Sequence, residues 1–275
     1  MTSRGAYGLR IEGPVDPAVL RPVADDAPLL TLSQRRRTPD EEPPEGTDTR
    51  RVEQLEEGGW VVTDVREGTA ELVLAQRALT EDEIVHPFGA SAALAMSLSL
   101  GRLVLHGSAI AWGDRVTVLV GDREAGKSTF AAWASLHDPD ARVLSDDLCV
   151  LDRGLLHAGP ASVDLRPGGE HRLDLPEGTQ LAREGTRRRL IVRGGPAVAT
   201  VARIVVLAWG DAVRMTRLPV TQRLPALARH TEVPSDAGGR AQLLSLCHYD
   251  VWTFARPRNL ALMDACLAEV RAATL

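Results

Sequence analysis

Lysine is almost missing from this chain of 275 residues, because 31 of its 32 lysines and arginines are arginine. Cysteine is scarce as well. Cys149, Cys247 and Cys266 are odd in number and widely spaced, which argues against a disulfide framework and against a cysteine-based zinc site. The spacing favours reduced, buried thiols in a cytoplasmic protein.

Long hydrophobic runs and an excess of positive charge are also lacking. No N-terminal stretch resembles a signal peptide and no apolar run reaches the length of a membrane span, so we expect no membrane partner. A formal net charge of −5 argues against a general nucleic-acid binder. The 44% hydrophobic content is that of an ordinary globular protein of one or two domains, and a homo-oligomer is compatible with it.

The one lysine, Lys127, lies in a segment that matches the phosphate-binding pattern G-x-x-x-x-G-K-[ST] from Gly121 to Ser128. The apolar, β-branched run 116–120 predicts a buried strand before it, and 129–136 predicts a helix after it, ended by Asp138-Pro139. Strand, loop and helix in that order let backbone N–H groups converge on an anion. The alternative is a glycine turn that matches by chance, and the flanking elements favour nucleotide binding.

ATP and Mg²⁺ are therefore the expected ligands. Lys127 is predicted to neutralise phosphate charge, and the Ser128 hydroxyl to ligate Mg²⁺. Asp122 and Glu124 would repel a triphosphate unless they point away, and Arg123 offsets them in part. The residues predicted to bind the nucleotide are Gly121, Asp122, Arg123, Glu124, Ala125, Gly126, Lys127, Ser128 and Thr129.

An aspartate pair, Asp146-Asp147, follows the buried strand predicted at 142–145. In a parallel or mixed sheet, the end of that strand opens onto the same edge as the phosphate loop. Adjacent carboxylates there can divide the work of phosphoryl transfer, one holding Mg²⁺ and one accepting the proton of the acceptor hydroxyl. The alternative is a turn or helix-capping role, which aspartate also favours. The complete phosphate loop upstream favours function.

Three segments together resemble a known family. His106-Gly107-Ser108, then 121–129, then Leu144-Ser145-Asp146-Asp147 are similar to the HPr kinase/phosphorylase superfamily, and more closely to its HPr-kinase-like branch, which includes kinases of lasso-peptide clusters. The opening stretch 6–11 is also similar to the start of those proteins. Where the family loop commonly carries small residues and an extra glycine, this chain has Asp122-Arg123-Glu124.

The resemblance implies a P-loop kinase core of the phosphoenolpyruvate-carboxykinase/HPr-kinase type, and ATP-dependent phosphorylation of a serine hydroxyl. It implies Asp146 as base and Asp147, with Ser128, as magnesium ligand, although the two aspartates could exchange roles. Arg166 follows a strand at a place where family members often have arginine. Residues 187–189 lie where the superfamily keeps a mobile, substrate-contacting loop, although three arginines in a row otherwise suggest a solvated face. The catalytic residues implied or predicted are His106, Lys127, Asp146, Asp147, Arg166 and Arg188.

The chain divides by composition into a small β-rich N-terminal module, residues 1–85, and a P-loop kinase domain, residues 86–275. The first module has candidate strands at 7–11, 29–32, 60–65 and 71–75, and a charged, proline-containing segment at 35–51 predicted as a flexible loop. Further on, we predict a buried helix at 90–100, a strand from 102 that ends at His106-Gly107-Ser108, a hairpin turn at Gly113-Asp114, and a C-terminal helix at 259–273.

The leading hypothesis is a serine kinase for a peptide or protein, with the N-terminal module gripping the substrate. Two alternatives stay open. A phosphate loop does not specify the acceptor, so a small-metabolite kinase is one. A nucleotide-binding regulator that has lost catalysis is the other, and the presence of Lys127, Ser128, Asp146 and Asp147 argues against it.

Overall fold

The computed structural model describes residues 3–55, 58–166, 188–234 and 237–275, together with Leu173, Leu175, Thr179, Leu181 and Ala182. These residues form a mixed α/β structure with several sheets and few helices, which confirms the predicted α/β class at that level. In this part of the chain, no helix has both the length and the apolar character needed to cross a membrane.

The first sheet takes up most of the N-terminal 75 residues. Its seven strands lie in the order β3-β1-β2-β4-β7-β6-β5. The pairs β2–β4 and β4–β7 are parallel, and the remaining pairs are antiparallel. Its strands are β1 (Arg4–Ala6), β2 (Leu9–Glu12), β3 (Arg21–Pro22), β4 (Leu29–Arg36), β5 (Arg50–Gln54), β6 (Gly59–Asp64) and β7 (Thr69–Leu74).

Two predictions for this sheet need correction. The strand predicted at 7–11 begins only at Leu9, because Tyr7 and Gly8, with φ of 59° and 69°, form the two-residue turn that joins β1 to β2. The loop predicted at 35–51 is shorter at both ends, since its first two residues complete β4 and its last two begin β5. The predicted strands at 29–32, 60–65 and 71–75 are confirmed to within a few residues.

A helical segment links the first sheet to the second. It consists of α1 (Glu81–Glu83), a π-helical turn (Ile84–Phe88) and α2 (Gly89–Ser99), the helix predicted at 90–100. Thr80 caps α1 through a reciprocal pair of hydrogen bonds with Glu83. One apolar core holds residues of the first sheet, of α2 and of strands from the second sheet. This core therefore crosses the predicted boundary between residues 85 and 86.

The second sheet carries the segment that matches the phosphate-binding pattern, which is called the phosphate loop below. On its main path the strands lie in the order β10-β8-β11-β12-β16-β19-β17, β9 also pairs with β8 and with β16, and β18 pairs with β8. β9, β16 and β19 are mutually parallel, and β8 is antiparallel to β9. Its strands are β8 (Leu103–Trp112), β9 (Arg115–Val120), β10 (Ala141–Ser145), β11 (Leu148–Asp152), β12 (Leu155–His157), β16 (Val198–Trp209), β17 (Arg214–Arg217), β18 (Thr231–Glu232) and β19 (Val251–Arg256).

The predicted break at His106-Gly107-Ser108 is wrong, because β8 runs without interruption from Leu103 to Trp112. Gly113-Asp114 is the turn to β9, as predicted. Apolar side chains pack against both faces of this sheet, which is why β9 reads as a continuous apolar run and not as an alternating one.

A small antiparallel sheet and four helices complete the described structure. The sheet has the order β13-β15-β14, with β13 (Ser162–Leu165), β14 (Leu181–Ala182) and β15 (Arg188–Ile191). The helices are α3 (Lys127–His137), α4 (Val220–Ala228), α5 (Ala237–Ser245) and α6 (Met263–Thr274). The C-terminal helix, predicted to begin at residue 259, begins four residues later at Met263, because Asn259 caps a separate 3₁₀ turn, Leu260–Leu262, ahead of α6.

Candidate functional site

The loop between β9 and α3 has the backbone of a phosphate cradle. Gly121, Glu124 and Gly126 all have positive φ, of 153°, 68° and 83°, and α3 begins at Lys127 directly after Gly126. The predicted order of strand, loop and helix is confirmed. The backbone N–H groups in the first turn of α3 have no partner within the helix, so they are available to an anion together with the positive end of the helix dipole.

The Lys127 ammonium lies over this loop. Its Nζ donates to the carbonyl oxygens of Gly121 at 2.8 Å and of Asp122 at 3.2 Å. Burial lowers the pKa of Lys127, while the charges of Asp146, Asp147 and Asp122 oppose that shift. A partly buried ammonium held by carbonyl oxygens alone can exchange them for phosphate oxygens at little cost.

The loop carboxylates are turned toward cations outside the loop. Glu124 accepts from Arg166 Nη1 at 2.6 Å. Asp122 Oδ1 lies 3.6 Å from Arg229 Nη2 and 4.0 Å from His230 Nε2. The expected repulsion of a triphosphate by Asp122 and Glu124 is therefore reduced. The other loop residues lie as follows: Arg123 is exposed, Ala125 is buried, and Gly126, Ser128 and Thr129 are half-buried.

The aspartate pair lies at the same edge of the sheet. β9 and β10 are both antiparallel to β8, so they run in the same direction, and Asp146 follows β10 as Gly121 follows β9. Asp146 is 8% exposed and accepts from Ser108 Oγ at 2.5 Å. Burial raises the pKa of Asp146 and the charge of Asp147 adds to this, whereas hydrogen bonds from Ser108 and Ser128 oppose it, so that the pKa is about 6.

Asp147 differs from its neighbour in both backbone and exposure. Its φ of 71° is left-handed, and 54% of its side chain is exposed. The left-handed residue turns the chain between β10 and β11, so consecutive carboxylates point into different environments. His86 Nε2 lies 3.1 Å from Asp147 Oδ2.

His86 joins Asp147 to a buried network of charged groups. Its Nδ1 lies 2.7 Å from Asp164 Oδ2. Arg189, 0% exposed, donates to both oxygens of Asp164 at 2.8 and 3.0 Å, to the His86 carbonyl at 2.7 Å, and to Asp82. Burial alone would lower the pKa of His86, but Asp147 and Asp164 raise it to about 9, so the imidazole is protonated at neutral pH.

This network was not predicted from the sequence. His86 and Asp164 are 78 positions apart in the sequence, and Asp164 and Arg189 are 25 positions apart. None of the three lies in a recognisable motif. The one local signal was Arg189 itself, in the arginine run interpreted as a solvated face or a mobile loop. That interpretation is wrong for Arg189, which lies buried in β15.

The three other predicted catalytic side chains lie around the loop or on the small sheet. His106 is half-exposed on β8, and its Nε2 is 3.7 Å from Glu232 Oε1. Arg166, directly after β13, is held by Glu124 of the phosphate loop. Arg188 is half-buried in β15, opposite Leu165. Arg187 lies outside the described residues. The histidine bonded to the aspartate pair is thus His86, and the roles of His106, Arg166 and Arg188 stay predictions.

The first sheet reaches the aspartates through Tyr7. This side chain is 2% exposed and lines a small cavity together with His86, Asp146 and Asp164. Burial, followed by the nearby charges of Asp147 and Asp146, raises the pKa of Tyr7 well above its usual value, so the phenol is neutral. The turn between β1 and β2 therefore contributes a wall of the site.

The flank of the loop opposite the aspartates has a different character. β16 and β19 run parallel to β9 and end at Trp209 and Arg256. Arg256 is buried and donates from Nη2 to the Ala125 carbonyl at 2.9 Å. Its guanidinium carbon lies 4.4 Å from the centre of the Trp209 ring, and that of Arg258 lies 4.8 Å from it. This flank is cationic and aromatic, whereas the other is acidic.

No group of three or more His, Cys, Asp or Glu side chains in the described residues is arranged to hold a metal ion. One hydroxyl and one or two carboxylates are nevertheless what Mg²⁺ takes from a protein when phosphates and waters supply its other ligands.

No protein-family model matches this chain. No curated protein matches it either.

Proposed function

We propose that this protein is an ATP-dependent serine kinase that transfers the γ-phosphate to a hydroxyl of a peptide or protein, on a P-loop kinase core of the phosphoenolpyruvate-carboxykinase/HPr-kinase type. One observation carries the proposal. A buried carboxylate with a pKa near 6, Asp146, lies beside Ser108 at the same sheet edge as the loop that holds Lys127. A phosphate cradle next to a carboxylate able to accept a proton is the minimum equipment for phosphoryl transfer to a hydroxyl.

The chain's own donors bind the triphosphate. Backbone N–H groups of the loop and of the first turn of α3 point at the phosphates, and Lys127 Nζ leaves its carbonyl partners to bind the β- and γ-phosphates. The positive charge stabilises the leaving ADP as the bond from the γ-phosphorus to the bridging oxygen breaks. Arg166 is held beside the loop by Glu124.

Ser128 and Asp147 are the residues that hold Mg²⁺ in this proposal. When bound there, Mg²⁺ would supply positive charge that offsets the charge of the phosphates. The exposed side chain of Asp147 leaves room for an ion and its waters, while His86 holds one carboxylate oxygen from the buried side. His86, Asp164 and Arg189 are positioning residues, because they orient Asp147 and touch no substrate atom.

Asp146 accepts the proton. As the acceptor oxygen forms its bond to the γ-phosphorus, the hydroxyl proton passes to an Asp146 oxygen and ADP departs. Because the pKa of Asp146 is about 6, the carboxylate is ionised at neutral pH and still basic enough to take a proton. Transfer should therefore rise as the pH increases through 6.

A peptide suits the site as acceptor because the exposed Asp147 lies open to solvent, where an extended chain can lay a serine side chain beside Asp146. The turn between β1 and β2, with Tyr7, borders the same place. The N-terminal sheet is therefore the candidate surface for the rest of the peptide.

The test uses radiolabelled ATP, Mg²⁺ and serine-containing peptides encoded beside the gene, with each serine-to-alanine peptide as an acceptor control. Asp146→Asn should lower the transfer rate roughly 10²–10⁴-fold while ATP affinity is kept. Asp147→Asn should raise the Mg²⁺ concentration needed for half-maximal transfer. Asp152→Asn is the matched control, because it makes the same change at the far end of β11.

Three outcomes would contradict the proposal in different ways. If Asp146→Asn transfers phosphate at the full rate but needs a different Mg²⁺ concentration, the two aspartates have the opposite roles. Label that moves only to a free amino acid or sugar would indicate a metabolite kinase. ATP binding without transfer to any acceptor would indicate a nucleotide-dependent regulator.

A further inference from the structure

The flank of the phosphate loop away from the aspartates holds a charge that the fold does not neutralise. Arg256 is 3% exposed, and its Nε has no hydrogen-bond partner among the described residues. In the same part of the chain no carboxylate forms an ion pair with it. The Cys266 thiol lies near it, but burial raises the pKa of that thiol, so it is neutral and supplies no counter-charge.

A buried guanidinium without a counter-charge is costly to keep, so its position calls for an anion. Arg256 lies against the loop on two sides, through its bond to the Ala125 carbonyl and at Gly126. A Cβ placed on Gly126 would lie 2.8 Å from Arg256 Nη2 and 3.5 Å from Trp209 Cη2. Glycine is thus required here both by its φ of 83° and by the close approach of these two side chains.

Trp209 is an exposed aromatic ring at this place. It is 37% exposed at the end of β16. Arg258, whose guanidinium lies over the same ring, is itself exposed. An exposed indole with a planar cation beside it offers a stacking surface for another flat ring.

The direction of the bound nucleotide follows from the two flanks and rests on the proposed function. Ser128, Asp146 and Asp147 fix the γ-phosphate end on the β10 side of the loop. The phosphate chain crosses the loop, so the nucleoside leaves it on the opposite side, at the ends of β16 and β19. Trp209 is the last residue of β16, and Arg256 is the last residue of β19.

We infer that Trp209 and Arg258 form the seat of the nucleobase, a purine stacked on the indole ring, and that Arg256 binds the phosphate nearest the nucleoside. Stacking uses the face of the ring and not its edge, so this seat alone distinguishes adenine from guanine poorly. Arg256 contributes to binding any polyphosphate, whereas Trp209 contributes only when a base is attached.

Binding measured by calorimetry without an acceptor tests this separately from catalysis, with ATP, GTP and inorganic tripolyphosphate as the ligands. Trp209→Ala should weaken ATP binding about tenfold and leave tripolyphosphate binding unchanged. Trp209→Phe should keep most of the ATP affinity. Arg256→Met should weaken both ligands, and wild-type affinities for ATP and GTP should agree within a few fold.

Trp252→Ala is the matched control. Trp252 lies near the other end of β19 and also carries an arginine over its ring, Arg203, but does not border the loop. If Trp209→Ala and Trp252→Ala bind ATP as the wild type does, the base lies elsewhere and the inference fails. If ATP binds as inferred but no acceptor is phosphorylated, the base seat stands and the proposed kinase function fails.

Discussion

Arg189 and Arg256 are two buried guanidinium groups on opposite flanks of one phosphate loop, and they are treated in opposite ways. Arg189 is surrounded by Asp164, Asp82 and the His86 carbonyl, so its donors are used and its charge is balanced. Arg256 has the Ala125 carbonyl and two aromatic rings as neighbours, and its Nε has no hydrogen-bond partner in the described part of the chain.

Under the proposed function, Arg189 carries a charge that belongs to the fold and Arg256 carries one that belongs to a ligand. A balanced buried arginine holds its neighbours in place, and here it fixes the histidine behind Asp147. An unbalanced one raises the free energy of the protein until an anion arrives. Four predictions test this comparison, in order of decreasing effect.

The largest effect is expected from removing Arg189. Arg189→Met should lower the free energy of unfolding by about 3–5 kcal/mol, because buried Asp164 would keep only His86 as a counter-charge and half-buried Asp82 would lose its ion pair. Arg256→Met, the matched change on the other flank, should alter it by less than about 1 kcal/mol. Urea unfolding measures both. Equal losses in the two variants would end the distinction.

The second prediction concerns His86 and pH. Its pKa is raised from 6.5 to about 9 in the folded state, so the stability it contributes is fully present below pH 6.5 and is lost as the pH rises through 9. The loss should amount to about 3 kcal/mol. Asp146, with a pKa near 6, changes its protonation below this window.

Thermal unfolding from pH 6 to 10 would show the loss for the wild type and a much flatter curve for His86→Gln. A wild-type curve no steeper than that of the variant would show that the imidazole is not charged in the fold.

Filling the anion site gives the third prediction. Tripolyphosphate at a hundred times its dissociation constant should stabilise the wild type by about 2.7 kcal/mol. At the same concentration, Arg256→Met and Lys127→Ala should gain less, because each loses a phosphate-binding cation. Melting curves with sodium chloride at equal ionic strength provide the control. If tripolyphosphate stabilises Arg256→Met as much as the wild type, Arg256 does not bind the anion.

The smallest effect is expected at the exposed pair of Glu124 and Arg166. Glu124→Gln should change the free energy of unfolding by less than about 1 kcal/mol, since ion pairs open to solvent contribute little. Tripolyphosphate affinity should rise slightly, because a negative charge leaves the loop. A large loss of stability on urea unfolding would show that this pair supports the loop structure.

Most of the regular structure near the loop could be predicted from local patterns. The strand at 116–120, the loop at 121–128, the helix at 129–136 and the strand at 142–145 all lie where the sequence predicts them, to within two residues. Apolar runs, glycine spacing and helix-stop residues act within a few positions along the chain, so they can be recognised without the fold. The false break at His106–Ser108 arose because a glycine inside a strand looks like a turn.

The sequence by itself determined the loop: a lysine, a hydroxyl and glycines at fixed spacing after a buried strand. It also placed two aspartates at the end of a neighbouring strand. Only the tertiary structure decided which charges surround that loop. His86 reaches Asp164 across 78 positions and Arg256 reaches Ala125 across 131. A buried charge is balanced or unbalanced according to which distant segments pack against it, and no local pattern records that packing.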